Sequence, residues 1–234
     1  LLMARDKSLS KKLLAYHRIA VPEFEVFRIG RPIRRPKRLP FPLIVKSLTQ
    51  EASIGISQAS VVDSDEKLKE RVAFIHESIG TAAIVEQYIE GRELYVGILG
   101  NQALQAMPVW ELFFTNMPDG AKRIATDRVK WSVKYQKKYG IDSGPARDLP
   151  EAQADAIQHL CKRAFRALEL SGYARIDLRV EDNGNVWVLE ANPNPQIAKG
   201  EDFAASAEKI GLSYETVLQR IINLGLRWQP ESFA

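Results

Sequence analysis

The stretch Tyr173-Ala174-Arg175-Ile176-Asp177-Leu178-Arg179-Val180-Glu181-Asp182-Asn183-Gly184-Asn185-Val186-Trp187-Val188-Leu189-Glu190-Ala191-Asn192 decides the fold. Two alternating runs flank Asp182-Asn183-Gly184-Asn185, a turn with Asn-Gly at its centre, which is the strongest short hairpin signal. A turn centred on Asn183-Gly184 makes Asp177 face Glu190 and Arg175 face Asn192. The opposite face then carries Ala174, Ile176, Leu178 and Val180 against Trp187, Leu189 and Ala191. That face is wholly apolar and should be buried, so the register is self-consistent.

The polar face has a chemical consequence. Facing side chains lie ~5 Å apart at Cβ. Two carboxylates at that distance repel by ~3 kcal/mol at an effective dielectric of about 20. A divalent cation between Asp177 and Glu190 reverses the sign of that term. Two carboxylates with the amide oxygen of Asn192 suit a hard ion such as Mg²⁺, which completes its shell with phosphates and water. The competing reading is a solvent-facing surface on which Arg175 and Arg179 neutralise the acids.

Working towards the N-terminus, Leu43-Ile44-Val45 reads as a buried strand running into Lys46. A loop rich in small residues follows, with Thr49, Ala52, Ser53, Gly55 and Ser57. Backbone N–H groups in such loops cradle phosphates, and a lysine at the strand end adds a point charge. The Gly-rich Lys-Ser/Thr pattern of a P-loop is not there. Glu86-Gln87-Tyr88-Ile89 followed by Glu90-Gly91-Arg92-Glu93 reads as a strand, a sharp turn and a second acid. Strand backbone groups can read an adenine edge, and a carboxylate beyond the turn can accept from ribose hydroxyls.

Asp6 to Ile19 reads as an amphipathic helix with Asp6 at its N-cap, ending before Val21-Pro22. Asp63 is the expected cap of the next helix, with Glu66 completing a capping box and Gly80 ending it. Strands are expected over 83–89, 93–99 and 103–110. Residues 111 to 149 carry no readable period; a connection of that length is usually functional or mobile. Pro150 opens a helix whose apolar stripe includes Cys161, a core residue on that reading. Two further helices are expected near 203–210 and 213–226. Strands and helices mix without strict alternation, which places the chain in the α+β class with antiparallel sheets.

Composition bounds the rest. The chain has 234 residues, 45% of them hydrophobic and 26% charged, with a net charge of +4. No apolar run approaches the ~20 residues of a membrane span, so no membrane partner is expected. A single cysteine excludes an internal disulfide framework and fits a reducing compartment, with the cytoplasm as the expectation. The basic stretch Arg28 to Arg38 has no interleaved aromatics and reads as a proline-stiffened loop rather than a nucleic-acid surface. His17, His76 and His159 share no ligand spacing.

Taken in order, these pieces resemble the ATP-grasp superfamily, and most of all its D-alanine:D-alanine ligase branch. The resemblance rests on Asp6-Lys7 opening a helix, Ile44-Val45-Lys46, Glu86-Gln87-Tyr88-Ile89, Gly91-Arg92-Glu93, Arg175-Ile176-Asp177 and Leu189-Glu190-Ala191-Asn192-Pro193. It implies two lobes, each with an antiparallel sheet and helices, and a nucleotide held between them. A leading helix would occupy 1–20, a smaller lobe 21–90 and a larger lobe with the metal hairpin 91–234. It implies ATP as cofactor with Mg²⁺, or Mn²⁺ in its place. Lys7, Lys46 and Ser53 would hold phosphates. Glu86, Gln87 and Ile89 would line the adenine, the latter two through backbone groups, and Glu93 would bind ribose. Asp177, Glu190 and Asn192 would ligate the metal, Arg175 would stabilise an acyl phosphate, and Lys134 would be the lysine of a mobile lid over 111–149.

The resemblance also implies the reaction. A substrate carboxylate takes the γ-phosphoryl group, and an amine then displaces phosphate. The protein supplies positioning and charge rather than a nucleophile. Small-molecule acid and amine substrates are the expected partners, with room for a homodimer. Two departures leave the substrate open: Glu51-Ala52-Ser53 stands where the branch has Gly-Ser-Ser, and Pro193-Asn194-Pro195-Gln196 where it has Ser-Pro-Gly. The branch's N-terminal domain has no counterpart in these residues, and the opening Leu1-Leu2-Met3 leads us to expect a segment upstream. The rival readings are an ATP-grasp kinase acting on a hydroxyl and a nucleotide-binding module completed by a partner.

Overall fold

The structure is a computed structural model and describes residues 2–50 and 53–229. Glu51 and Ala52 of the small-residue loop lie outside the described residues. Two antiparallel sheets follow one another along the chain. The smaller runs β1 (Phe24–Phe27), β4 (Ala83–Gln87), β2 (Leu43–Ser47), β3 (Val61–Val62). The larger runs β10 (Val186–Asn192), β9 (Tyr173–Val180), β5 (Arg92–Leu99), β7 (Trp110–Phe114), β8 (Ile141–Pro145), with β6 (Gln105–Ala106) paired to β5.

Helix covers one face of the smaller sheet and part of both faces of the larger. Helix α3 (Asp65–Phe74) packs Leu68 and Val72 onto Leu43, Val45 and Val85 of the smaller sheet. Helix α6 (Glu151–Ala167) lays Ile157, Cys161, Ala164 and Phe165 against Leu94, Val96, Ile176 and Leu178 of the larger one. Cys161 is fully buried and is a core residue, as its place on the stripe predicts. The leading segment forms α1 (Leu2–Arg5) and α2 (Lys7–Tyr16); Leu14 joins the core of the larger sheet. At the far end α7 (Asp202–Glu208) and α8 (Tyr214–Leu226) pack over β5. Gly97 permits this, since a Cβ there would stand 3.0 Å from the Phe203 ring and from Met107.

Several expectations need correction. The cap of α3 is Ser64, whose hydroxyl accepts from the Lys67 amide; Asp63 instead pairs with the Lys67 ammonium. The strand expected over 103–110 is broken into β6 and β7. Segment 111–149 is largely ordered structure: most of β7, the helices α4 (Asp127–Trp131) and α5 (Val133–Tyr139), and β8. Their polar, interrupted pattern hides them because β7 and β8 lie towards the sheet edge, where one face stays wet.

The hairpin contains an irregularity that the turn does not announce. Near the turn Val186 pairs with Val180 and Val188 with Leu178. The register then shifts, so that Glu190 pairs with Asp177 and Asn192 with Arg175. Leu189 is the extra residue of this bulge. The core face is therefore Val186, Val188 and Ala191, not Trp187, Leu189 and Ala191. Trp187 faces Arg179 and donates to Glu181, and Leu189 lines the cleft between the sheets. Without the bulge Glu190 would oppose Ile176 and point into the core.

Candidate functional site

The two sheets meet across a cleft to which four strands each contribute a charged side chain. Lys46 comes from β2, Glu86 from β4, Asp177 from β9 and Glu190 from β10, and all four line the cleft. Lys7 reaches in from the first turn of α2, where Asp6 accepts from the amides of Ser8 and Leu9 and sets the helix start. The Lys7 ammonium donates to the Gln50 carbonyl at 2.6 Å and lies 3.8 Å from Glu190.

Glu86 is fully buried. Its Oε2 lies 3.1 Å from Lys46 and 3.3 Å from Lys11. Its Oε1 is buried with no partner. Burial works to raise this carboxyl, but Lys11 and Lys46 outweigh it and hold the group below its usual value. A charged acceptor with an unpaired oxygen on a cleft wall fits an amino group on a base edge.

Asp177 and Glu190 face each other as the sequence predicts, yet cations offset their repulsion. Arg175 grips Asp177 with two bonds of 2.8 and 2.9 Å while stacking over the Tyr95 ring at 4.5 Å. The Asn192 amide donates to Asp177 at 3.0 Å. Burial and the neighbouring Glu190 raise Asp177 against the pull of Arg175. Burial acts on Glu190 in the same direction, but Lys7, Lys130 and Lys46 overcome it and hold this acid at about 2. Among the described residues no three His, Cys, Asp or Glu side chains converge as a complete metal cage. Two carboxylates and one amide are a partial shell, which suits a Mg²⁺ that draws its remaining ligands from phosphate and water.

Other expected residues sit differently. Glu93 lines the cleft, but its oxygens already accept from Arg179 at 2.8 Å and from the Tyr95 hydroxyl at 3.0 Å. The Ser53 hydroxyl donates to the Ala125 carbonyl at 2.7 Å rather than standing free for phosphate. Gln87 and Ile89 line the cleft, although the Gln87 amide donates to Glu23 and the Ile89 carbonyl accepts from Arg179. Lys134 stands apart from the rest. It is exposed on α5 and lines neither the cleft nor the adjoining cavity, whereas Lys130 on α4 lines both. Both lysines precede aromatic or apolar neighbours in one basic run, and only the packing of α4 against the cleft separates them.

Two contributors, Lys11 and Ile124, had no reading in the sequence, and a third, Arg179, entered only as a neutraliser of the paired acids. Lys11 is 1% exposed and donates to the Leu189 carbonyl at 2.8 Å; burial pushes its ammonium down to about 8 despite Glu86. Its signal was available: Lys7, Lys11 and Leu14 share one helix face. Arg179 is buried and bonds Glu93, Ile89, Gly91 and the Arg123 carbonyl. Ile124 closes over Ile44 and Tyr88 at the cleft mouth. Beside the acids a second cavity of about 550 Å³ is lined by Tyr95, Lys130, Trp131, Arg175, Asn192 and Asp202, among others.

The family model "D-ala D-ala ligase C-terminus" matches residues 13–223. A D-alanine–D-alanine ligase of Bordetella petrii is 32% identical over 228 residues, covering 94% of this chain and 64% of that protein. The ligase of Syntrophotalea carbinolica is 33% identical over 227 residues, covering 94% and 66%. The chain thus spans about two thirds of the length of these relatives. The structure of Bacillus anthracis D-alanine–D-alanine ligase complexed with ATP superposes with a TM-score of 0.76 at 22% identity, over 96% of this chain and 67% of that one. The Enterococcus faecalis VanG D-Ala:D-Ser ligase gives 0.73 at 23%, over 95% and 62%. At these identities the two structures establish a shared fold.

Proposed function

The chain belongs to the D-alanine–D-alanine ligase C-terminal family, and from that premise we propose that it is the ATP-binding body of a carboxylate–amine ligase. The observation that carries the reading is the convergence of Lys46, Glu86, Asp177 and Glu190, from four strands of two sheets, on one cleft. Around three carboxylates stand the cations Lys7, Lys11, Lys46, Lys130 and Arg175, an excess that suits a polyphosphate.

In this reading Lys7 and Lys46 hold phosphates, and the free Oε1 of Glu86 accepts from the base. Asp177, Glu190 and Asn192 would hold Mg²⁺, whose chemistry is to neutralise charge on the transferring phosphoryl group. Lys130 takes the role expected of Lys134. The cavity beyond Arg175 receives the acid and the amine, and Arg175 presents a planar fork to the oxygens of the reacting carboxyl group. Because Ser53 and Glu93 are engaged by protein groups, their part in nucleotide binding requires those bonds to open.

The experiment is calorimetric titration of this chain with ADP in the presence of Mg²⁺ and in EDTA. Saturable binding strengthened by the metal is expected. Lys130→Ala should lower the Mg-ADP affinity about tenfold, a charge-assisted contact to phosphate being worth roughly that, and Lys134→Ala should leave it unchanged. A folded sample that binds no nucleotide would end the reading. Turnover that depends on both a carboxylate and an amine separates a ligase from a kinase.

A further inference from the structure

Lys11 lies on the leading helix, outside the sheets that form the cleft, yet it touches both of them. Its ammonium sits 3.3 Å from Glu86 Oε2 on β4 and donates at 2.8 Å to the Leu189 carbonyl on β10. Leu189 is the bulged residue whose insertion turns Glu190 out of the core and onto Asp177. A bulge leaves its extra residue outside the ladder, so the carbonyl of half-buried Leu189 takes a partner from elsewhere. Lys11 supplies it.

The same ammonium shapes the purine end of the cleft. Lys11 and Lys46 both approach Oε2 of Glu86, and Oε1 is left as the unpaired buried oxygen. A buried charge is an expensive way to fill space; a methionine beside Leu14 would fill a similar volume without desolvating an ammonium. We propose that Lys11 is a positioning residue that sets both ends of the nucleotide site at once, orienting the Glu86 carboxylate for the base and holding the Leu189 bulge that aligns the metal acids. This extends the nucleotide reading above and rests on it.

The test again uses this chain, titrated with ADP in EDTA and with Mg-ADP. The ratio of the two affinities reports the metal end, and the EDTA affinity reports the base end. Lys11→Met is expected to weaken ADP in EDTA about tenfold, the scale of one lost charge-assisted contact, and also to remove most of the gain that Mg²⁺ confers. Glu86→Gln should weaken ADP in EDTA while keeping the metal gain. Lys11→Gln retains an amide donor for the Leu189 carbonyl but no charge for Glu86, and should behave like Glu86→Gln.

Wild-type protein that binds neither form overturns the nucleotide reading itself. Wild-type binding with Lys11→Met unchanged, or with only its EDTA affinity lowered, overturns the positioning role alone. If Lys11→Met and Lys11→Gln both fail to fold, Lys11 is a structural cation and the proposal falls on that ground.

Discussion

Arg175 shows how one side chain can be read two ways until its contacts are seen. The family resemblance implies that it stabilises an acyl phosphate, whereas the competing reading has it neutralise the acids. In the structure it holds both oxygens of Asp177 and lies 3.8 Å from Asp202. Arg175→Ala would strand a buried acid beside Glu190, and breaking a buried pair from one side costs ~3 kcal/mol or more. Without ligand, the variant should therefore melt lower than wild type. Mg-ADP should then raise its melting temperature by more than it raises that of wild type, because the metal replaces the missing positive charge. Thermal melts of both proteins with and without Mg-ADP decide this; equal ligand-free stability would mean that Arg175 is not what balances the acids.

Helix α2 has a task that its amphipathic pattern understates. It delivers Lys7 to the cleft and Lys11 to Glu86 in the cleft wall, both from its buried face, so its start must be fixed. Asp6 fixes it by accepting from Ser8 and Leu9. Asp6→Ala should cost ~1 kcal/mol, the usual worth of an N-cap. Burial works to raise the Asp6 carboxyl, but its bonds to the Leu9 and Ser8 groups win and lower it below its usual value. The cap's contribution is therefore present above the unfolded value and is lost as pH falls through the folded one. The stability gap between wild type and Asp6→Ala should accordingly be constant near neutrality and close in acid. Urea melts at pH 7 and at pH 3 check it, and a gap that widens in acid would contradict the sign.

The two sheets together enclose less room than a nucleotide needs. The cleft holds a free volume of about 70 Å³, against the several hundred typical of ligand sites. The strap over residues 121–127 accounts for this. Ile124 packs on Ile44 and Tyr88, the Ala125 carbonyl accepts from Ser53, the Arg123 carbonyl accepts from Arg179, and the Asp127 amide donates to Ile56. On the proposed nucleotide reading, entry requires this strap to move. Ser53→Ala removes one bond worth ~1 kcal/mol and should speed association of a fluorescent ADP analogue several-fold in stopped-flow measurements. An unchanged rate would mean that entry does not pass this bond. Once bound, Mg-ADP at a hundredfold excess over its Kd should add ~2.7 kcal/mol of stability.

The division between sequence and structure follows range. The hairpin, its paired acids, the Asp6 cap and the stripe of α6 were legible because each depends on residues a few positions apart, where turn chemistry and periodicity act. The α+β class and the order of the site motifs were legible for the same reason. The bulge at Leu189 was not, since Trp187 and Leu189 are as apolar as the residues that displaced them on the core face. Nor were Lys11, Lys130 and Arg179, whose partners lie in Leu189, both cavities and Glu93, far away in the chain. By itself the sequence determined which chemistry could gather in a cleft: acids at facing positions, lysines at element ends. Only the tertiary structure decided which cation balances which acid, because a buried charge chooses its partner by distance and desolvation, and both are set by how the two sheets and α2 pack together.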